Sequence, residues 1–309
     1  MEFSHEPVLL SETIDALNIR EGGTYIDCTT GGGGHSSAVC AAIGERGRMI
    51  CIDRDPAALE AAGKKLAPFA DRVTFVRGNF CDLASILAMN GVERADGILC
   101  DLGVSSHQLD TPERGFSYIH DAPLDMRMDP DSPLSAYELV NESGEEELAS
   151  ILFEYGEEKL SRKIASAIVK RRQEKPIART SELSELVASV YPPKARHENG
   201  NPAKRTFQAL RIAVNRELDA IGPMIEAAKD ALVPGGRLAV ITFHSLEDRI
   251  VKQSFAALAK GCTCPPEFPV CVCGKKPQVT LLKPVAPGEE ELNRNPRSHS
   301  ARLRAFEKL

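Results

Sequence analysis

Short apolar runs alternate with longer helix-forming segments over the first hundred residues of the chain. Four of the runs have the length and composition of strands buried on both faces: 24–28, 48–53, 72–76 and 95–101. Between the second and third runs lies an alanine-rich segment that begins with Pro56, a residue favoured in the first turn of a helix. Helices between successive strands predict a parallel, doubly wound α/β sheet.

The alternation stops after residue 101 and resumes near residue 234. Residues 102–131 predict a long polar loop, and irregular loops of that length in compact domains are usually functional. Helical patterns follow at 135–141, 145–153, 157–172, 180–190 and 202–232. Further strands are predicted at 234–243 and, as an antiparallel pair, at 278–282 and 301–306. We therefore expect one sheet domain built from 1–108 and 206–309, with a helical insertion at 109–205.

Four consecutive glycines follow the first predicted strand and precede a helical segment. Such a turn presents bare backbone N–H groups and a helix N-terminus to a ligand, and an acid ending the second strand, here Asp53, is placed to hold a ribose diol. A dinucleotide site needs Gly or Ala at the third position of its fingerprint, where Gly31-x-Gly33-x-x-Ser36 has Ser. Asp27 also has no part in that fingerprint. The pattern favours S-adenosylmethionine over a nicotinamide cofactor; the alternative is a turn that only packs tightly against the sheet.

Composition and charge place further bounds on the protein. The chain has 309 residues, of which 42% are apolar and 27% charged, as in soluble globular proteins. It holds no apolar run of about 18 residues and starts with an acidic segment unlike a signal peptide, so we expect a cytoplasmic protein without a membrane partner. A net charge of −6 argues against general coating of polyanions but leaves room for local basic patches.

Seven stretches together resemble one known family, the bacterial 16S ribosomal RNA cytosine-N4 methyltransferases (the RsmH, or MraW, family). They are 5–10, 33–36, 101–106, 123–129, 206–212, 243–249 and 295–298. The resemblance implies the Rossmann-like fold of class I S-adenosylmethionine methyltransferases, with seven strands and an inserted RNA-recognition domain. It implies methylation of a cytidine in the decoding centre of 16S rRNA, with the small (30S) ribosomal subunit as partner and no DNA. The cofactor contacts that it implies are Gly33, Gly34, His35, Asp53, Phe80, Asp101 and Gln108.

Two residues are candidates for catalysis. The amino nitrogen of cytosine is a poor nucleophile because its lone pair is delocalised, so the enzyme must accept hydrogen bonds from the N4–H groups. Asp101, at the end of the fourth predicted strand, is placed to do so, or it contacts only the cofactor. His244, after the fifth strand, is either a general base or a hydrogen-bond partner of the loop backbone. Amino-methyltransferases commonly have a Pro-Pro-aromatic motif after this acid, and its ring stacks the target base. This chain lacks that ring after Asp101; Phe116 and Tyr118 are the candidates to replace it.

Basic residues gather in two parts of the chain. One set lies in the predicted insertion and just after it: Lys159, Arg162, Lys163, Lys170, Arg171, Arg172, Lys194, Arg196, Lys204, Arg205 and Arg211. The other lies near the C-terminus: Arg294, Arg297, Arg302 and Arg304. They are candidates for contacts with RNA phosphates, although such runs are often only solvated faces. Because a target base must be unstacked to reach Asp101, we also expect the loop at 102–131 to act as a lid.

Nine cysteines, an odd number, argue against a full disulfide framework. Five of them lie in apolar stretches and are predicted to be small core residues: Cys28, Cys40, Cys51, Cys81 and Cys100. The other four form two Cys-x-Cys pairs: Cys262, Cys264, Cys271 and Cys273. Four thiolates could surround one zinc ion, but this spacing is tighter than that of usual zinc motifs. Free thiols or a transient disulfide are the alternative.

Two other classes of function are open at this point. A nicotinamide-dependent oxidoreductase is disfavoured by Ser36 and by the acids at the strand ends. A non-catalytic RNA-binding factor with a relict cofactor pocket is disfavoured because Asp53 and Asp101 are both present.

Overall fold

The computed structural model describes residues 7–193, 201–262, 264–265, 268–270 and 272–309. The chain divides into two compact units, with boundaries at Gly103/Val104 and at Glu217/Leu218. We call them the sheet unit (up to Gly103 and from Leu218) and the helical unit (Val104–Glu217). The boundaries predicted at 108 and 205 lie inside the helical unit, because residues 105–110 form a capped helix and the helix at 203–215 packs its apolar face into that unit's core.

The sheet unit holds a seven-stranded sheet in the order β3-β2-β1-β4-β5-β7-β6. Its strands are β1 (Thr24–Asp27), β2 (Arg48–Asp53), β3 (Val73–Arg77), β4 (Ala95–Asp101), β5 (Leu232–Thr242), β6 (Val279–Leu281) and β7 (Arg302–Lys308). The first five are parallel, whereas β7 runs antiparallel to both β5 and β6. The predicted doubly wound sheet is thus confirmed, and so is the antiparallel pair at its edge.

Helices cover both faces of this sheet, because its central strands are apolar on both sides. The helices are α1 (Leu10–Leu17), α2 (Gly34–Ala42), α3 (Pro56–Lys65), α4 (Leu83–Met89), α11 (Glu217–Ala231), α12 (Ser245–Ala259) and α13 (Glu289–Arg294). Alternate residues such as Ile26 and Tyr25 enter two separate cores, one under α4, α11 and α12, the other under α1, α2 and α3. Four of the five scattered cysteines are buried and Cys81 is partly buried, as expected of small core residues.

The helical unit contains α5 (Ser106–Asp110), α6 (Ala136–Glu142), α7 (Glu145–Gly156), α8 (Ser161–Glu174), α9 (Thr180–Val190) and α10 (Ala203–Asn215). The single helix predicted over 202–232 is two helices, since Arg216 adopts a left-handed conformation (φ 50°) that ends α10. Phe207, Leu210 and Val214 form the buried apolar face of α10. Asn215, at its end, is buried as well.

From Val104 onward, the predicted loop at 102–131 belongs to the helical unit. Its apolar side chains, including Phe116, Met126 and Met128, are buried in the core of that unit. The Asn215 amide accepts a hydrogen bond from the Met128 N–H (2.7 Å) and donates to the Met126 carbonyl (2.7 Å), while Arg114 donates to the Met128 carbonyl (3.0 Å). The prediction of an irregular loop is confirmed for 115–131, although burial and side-chain hydrogen bonds hold parts of its backbone. Its action as a lid stays a prediction.

No helix among the described ranges is both long enough and apolar enough to cross a membrane.

Candidate functional site

The strand order reverses at β1, since β2 and β3 lie on one side of it and β4 on the other. Ligands of open α/β sheets bind outside the carboxyl ends of the strands at such a switch point. Three carboxylates end the strands at this place: Asp27 on β1, Asp53 on β2 and Asp101 on β4. The structure thus brings together, at one edge, the acids that the sequence singled out.

Asp27 and Ser36 form one buried contact beneath the glycine turn. The Ser36 hydroxyl donates to Asp27 Oδ2 (2.6 Å), and the Thr29 N–H donates to Asp27 Oδ1 (3.0 Å). Burial raises the pKa of Asp27 to about 6, although both hydrogen bonds lower it. The two residues that depart from the dinucleotide fingerprint are therefore partners, and Ser36 has a physical reason to stand where that fingerprint has Gly or Ala.

The glycine turn is shaped by close packing on one side and is open on the other. Gly33 (φ 78°) caps α2, and a Cβ there would lie 3.2 Å from the Ala62 Cα. A Cβ on Gly34 would lie 2.3 Å from a side-chain carbon of Pro7. At Gly31 (φ 51°) an added Cβ would meet, within the part of the chain that the structure describes, only the Thr29 carbonyl at 3.9 Å. Tight packing thus explains Gly33 and Gly34, while the surface beside Gly31 has room for a ligand.

Asp53 fixes the turn to the end of β2. Its Oδ2 accepts from the Gly31 N–H (2.8 Å) and its Oδ1 from the Asp55 N–H (2.9 Å). Burial is the largest cause that raises the pKa of Asp53 to about 6. Each carboxylate oxygen has a second lone pair, so the group is able to accept further donors from a ligand.

Asp101 carries the least satisfied polar atom of this edge. Its backbone N–H donates to the Thr29 hydroxyl (2.6 Å), and its Oδ2 lies 3.7 Å from Nδ1 of His35. Its Oδ1 is buried and accepts no hydrogen bond from any described residue. Burial, followed by the charges of Asp27 and Glu247, holds the pKa of Asp101 well above its usual range. A buried acceptor without a donor is costly unless a ligand supplies one.

His35 faces this carboxyl with a defined tautomer. Its Nε2 lies 3.0 Å from the Val8 carbonyl, which accepts hydrogen bonds but cannot donate, so Nε2 carries a proton. In the neutral ring Nδ1 is then the acceptor that faces Asp101. The side chain is 7% exposed, so His35 belongs to the buried wall of the site.

Phe80 follows β3 and is buried in the sheet-unit core (8% exposed). The guanidinium of Arg54 lies 5.8 Å from the centre of its ring and donates to the Asn79 side chain (3.2 Å). The side chain of Asn79 in turn accepts from the Cys81 N–H, so the loop after β3 is fixed by its own hydrogen bonds.

His244 caps the helix that follows β5. Its Nδ1 accepts from the Glu247 N–H (3.5 Å), and its Nε2 lies 3.0 Å from Glu247 Oε1 without the alignment of a hydrogen bond. Glu247 Oε2 accepts from the N–H groups of Phe243 (2.8 Å) and His244 (3.3 Å), which completes a capping box. This geometry favours the backbone-bonding role over that of a general base.

The sequence reasoning missed Glu247, a carboxyl that is 1% exposed and raises the pKa of Asp101. An acid three residues after the start of a helix is a capping signal and could have indicated its place. That signal could not have indicated that Glu247 raises the pKa of Asp101 at the end of β4.

The candidate residues in the helical unit have different fates. Gln108 is buried and caps α5, where its side chain accepts from the Ser105 N–H (3.0 Å). Phe116 is a core residue, and Tyr118 packs edge-on against Phe207 with ring centres 5.7 Å apart. Neither ring is a free platform for a base, so the proposed replacement for the stacking residue is not supported.

The basic candidates separate into structural and exposed residues. Arg172 donates to the carbonyls of Val140 and Ser143 (both 2.7 Å), and Arg211 pairs with buried Glu217 (2.9 Å). Arg304 pairs with Asp248 (2.6 Å). Exposed basic side chains are those of Lys159, Arg162, Lys163, Lys170, Lys204, Arg205, Arg294, Arg297 and Arg302, whereas Arg171 is partly exposed and donates to the Lys175 carbonyl. Lys194 and Arg196 lie outside the described residues.

The parallel sheet, its antiparallel β7, the glycine turn and the strand-end acids define a class I S-adenosylmethionine-dependent methyltransferase fold. The chain belongs to the MraW methylase family, whose family model matches residues 2–309. It is 57% identical to ribosomal RNA small subunit methyltransferase H of Symbiobacterium thermophilum, over all of this chain and 98% of that protein. It is 56% identical to the protein of the same name from Heliobacterium modesticaldum, over the full length of both.

Among solved structures, the chain is similar to an rRNA methylase from Streptococcus thermophilus. The two share 11% identity and a TM-score of 0.42, over 97% of this chain and 93% of that one. This similarity is too distant to support any inference about the site.

Replacing His244 by Asn tests its role as a cap. Asn is a good N-cap residue, so His244→Asn should keep the melting temperature of the parent. Its methyl-transfer rate should stay within a few-fold of the parent's rate. His244→Ala should lower the free energy of unfolding by about 1 kcal/mol. A loss of rate of about 10²-fold in His244→Asn, with unchanged melting temperature, would show instead that the imidazole acts as a base.

Proposed function

We propose that this protein transfers a methyl group from S-adenosylmethionine to the N4 amine of a cytidine in the decoding centre of small-subunit ribosomal RNA. The observation that carries the proposal is the Asp101 carboxyl, whose buried Oδ1 has no hydrogen-bond donor among the described residues and lies at the switch point of the sheet. The names of the full-length relatives support an rRNA substrate. The N4 atom and the position in the decoding centre rest on the family resemblance.

The residues at this edge fit S-adenosylmethionine, which when bound supplies an electrophilic methyl group on a positively charged sulfur. Asp53 would accept hydrogen bonds from the ribose hydroxyls through lone pairs that the turn does not use. The open surface beside Gly31 leaves room for a ligand to approach the backbone. The loop that carries Phe80 follows β3, next to the ribose-binding strand.

Electrostatics also favour a cationic ligand here. Burial raises the pKa of Asp101, and repulsion by Asp27 and by Glu247 raises it further. A positive charge beside them favours the ionised carboxyl and offsets that repulsion. The Asp101 carboxyl thus resists ionisation by itself, whereas a nearby cation would favour the ionised acceptor that the amine needs.

Asp101 would act on the amine by accepting an N4–H hydrogen bond at Oδ1. Holding that bond draws electron density towards nitrogen as its geometry becomes tetrahedral, and it orients the lone pair towards the methyl donor. The Thr29 hydroxyl, which accepts from the Asp101 N–H, and His35, which faces Oδ2, would position the carboxyl.

The helical unit is the proposed RNA-recognition domain. Arg162 and Lys163 are neighbours at the start of α8, and both are exposed. Exposed cations of this kind bind phosphates and make affinity dependent on salt. An rRNA substrate implies a cytoplasmic enzyme that works on the small ribosomal subunit, without DNA or a membrane as partner.

The direct test incubates the protein with small subunits that lack the modification and with labelled S-adenosylmethionine, and then maps the label by mass spectrometry of RNA fragments. We expect one methylated cytidine, in the decoding centre. Label on another nucleotide, or methylation at a carbon or at the ribose, contradicts the proposed chemistry.

Asp53→Ala should weaken S-adenosylmethionine binding by about 1.5–3 kcal/mol, because charge-assisted hydrogen bonds to the ribose are lost. Donation from the ribose favours the ionised carboxyl, so the affinity of the parent should rise as the pH increases through about 6, where burial places the pKa of Asp53. In Asp53→Asn this rise should be smaller. Calorimetry at several pH values measures both effects, with the exposed-site variant Glu60→Ala as control; unchanged affinity in Asp53→Ala contradicts the assignment.

Asp101→Ala should lower the single-turnover rate about 10²-fold or more at saturating cofactor, because the transition state loses its acceptor. Asp101→Asn keeps an acceptor oxygen without the charge, so its single-turnover rate should lie between those of the parent and of Asp101→Ala. Asp82→Ala, at an exposed acid of the same unit, is the control. If the rate of Asp101→Ala recovers fully at saturation, Asp101 is only a cofactor ligand.

The double variant Arg162→Glu/Lys163→Glu should weaken binding to the small subunit and reduce the slope of log affinity against log salt by about 1.5, with cofactor affinity unchanged. The matched control is Lys64→Glu/Lys65→Glu, which makes the same change of charge on exposed neighbours in α3. Arg172 is avoided because its loss would uncap α6. Equal slopes for the two double variants would show that Arg162 and Lys163 are solvated surface residues that do not contact RNA phosphates.

A further inference from the structure

Within the sheet unit, an excursion of the chain leaves the sheet after α12 and returns to it before β6. Its two ends meet: the Gln278 N–H donates to the Leu258 carbonyl (2.9 Å), and a Cβ added at Gly261 would lie 3.0 Å from the Pro277 side chain. We call the residues between them, 261–277, the cysteine loop. Its described residues make no part of the proposed active site.

The described residues of the cysteine loop are not held together by hydrophobic burial. Every described residue between 261 and 277 is exposed or partly exposed. Phe268, Val270 and Val272 are 51%, 70% and 73% exposed. Ordering such a segment costs conformational entropy that no apolar core offsets here. A loop of this kind needs another form of cross-link.

Three thiols come together within it. The sulfur atoms of Cys262, Cys264 and Cys273 all lie within 4.8 Å of one another, and those of Cys262 and Cys273 are 3.7 Å apart. A disulfide would require about 2.05 Å. Two thiolates bound to one tetrahedral zinc ion, with Zn–S of about 2.3 Å, lie about 3.8 Å apart. The observed separation matches shared metal coordination and not a covalent bond between the sulfurs.

Backbone amides are directed at two of these sulfurs. The Cys264 N–H donates to the Cys262 sulfur (3.4 Å), and the Val272 N–H donates to the Cys264 sulfur (3.4 Å). Such donors stabilise negative charge on sulfur and orient metal-bound thiolates. They connect the two halves of the loop through the thiol cluster, which is the linkage that the absent core does not provide.

We propose that the cysteine loop binds one structural zinc ion through Cys262, Cys264 and Cys273, which release their thiol protons to solvent on binding. The sequence offers a fourth thiol in Cys271, which lies outside the described residues, and the experiment below includes it. The ion closes the loop and leaves the proposed catalytic residues as they are. This inference does not depend on the proposed function.

The first test is metal analysis of protein purified without a metal-binding tag under reducing conditions. We expect about one zinc per chain in the parent and a loss of at least about four-fifths of it in Cys264→Ser and in Cys273→Ser. Cys81→Ser, a partly buried cysteine elsewhere in the sheet unit, is the control and should keep its zinc. Cys271→Ser should lose zinc as well if that thiol completes the set, and its retention would limit the site to three protein ligands.

Cobalt substitution reports the coordination directly. The parent reconstituted with Co²⁺ should show sulfur-to-cobalt charge-transfer absorption and the intense visible bands of tetrahedral cobalt, and Cys264→Ser should not. Zinc below about one fifth of an equivalent in the parent, equal zinc in Cys264→Ser, or iron as the stoichiometric metal would each overturn the proposal. So would thiols that resist alkylation until a reductant is added, since that shows a disulfide.

Chelation gives a structural readout. Lys275 and Lys276 lie in the loop and are exposed. Tryptic cleavage there should be about tenfold faster after zinc removal, and re-addition of zinc should restore protection, while cleavage elsewhere is unchanged. An unchanged cleavage rate after full removal of bound zinc contradicts a structural role.

Discussion

The buried carboxylate of Asp27 is the constraint on which the rest of the site depends. It holds the Thr29 N–H and the Ser36 hydroxyl, and so fixes both the start of the glycine turn and the first turn of α2. Thr29 then accepts the Asp101 N–H, and Gly31 donates to Asp53. Three strand ends are thereby connected through one turn, and the hydrogen bond between Ser36 and Asp27 at its base is buried. Burial raises the pKa of this carboxylate to about 6, although the hydrogen bonds from Ser36 and Thr29 lower it.

Polar groups also hold the helical unit, where the run at 123–129 has a structural role. Asn215 and Arg114 satisfy backbone groups of Met126 and Met128, including a residue with φ of 61° at Met126. A stretch rich in charges and methionines therefore behaves as a core segment. Arg127 shows the same principle, since both Asp125 oxygens accept from its guanidinium. Such a frame can present exposed cations on α8 without itself depending on them.

The basic residues of this protein fall into two groups, those that hold the structure and those that are exposed. Only the exposed group is a candidate for contact with RNA. The linear count of basic residues gave Arg172 and Arg211 the same weight as Arg162 and Lys163. The first two hold a helix end and a buried glutamate, so reversing them would unfold structure before it tested binding. The second two are exposed, and their charges act on whatever approaches α8. The cysteine loop shows the converse: residues scattered over a polar segment become a cluster only when its ends are brought together.

The sequence by itself determined the doubly wound sheet, its final antiparallel pair, the glycine turn and the acids at the strand ends, because strand periodicity and glycine conformation are local properties. Ser36 and Asp27 are also local signals, and they favoured S-adenosylmethionine over a nicotinamide cofactor. Only the tertiary structure decided that these two residues are partners, that Glu247 raises the pKa of Asp101, that His244 caps a helix and that Phe116, Met126 and Met128 are buried. Each of these depends on contacts between residues distant in sequence or on burial. The local sequence pattern cannot predict these contacts, because it indicates which face of a strand or helix a side chain lies on but not which distant residue it contacts.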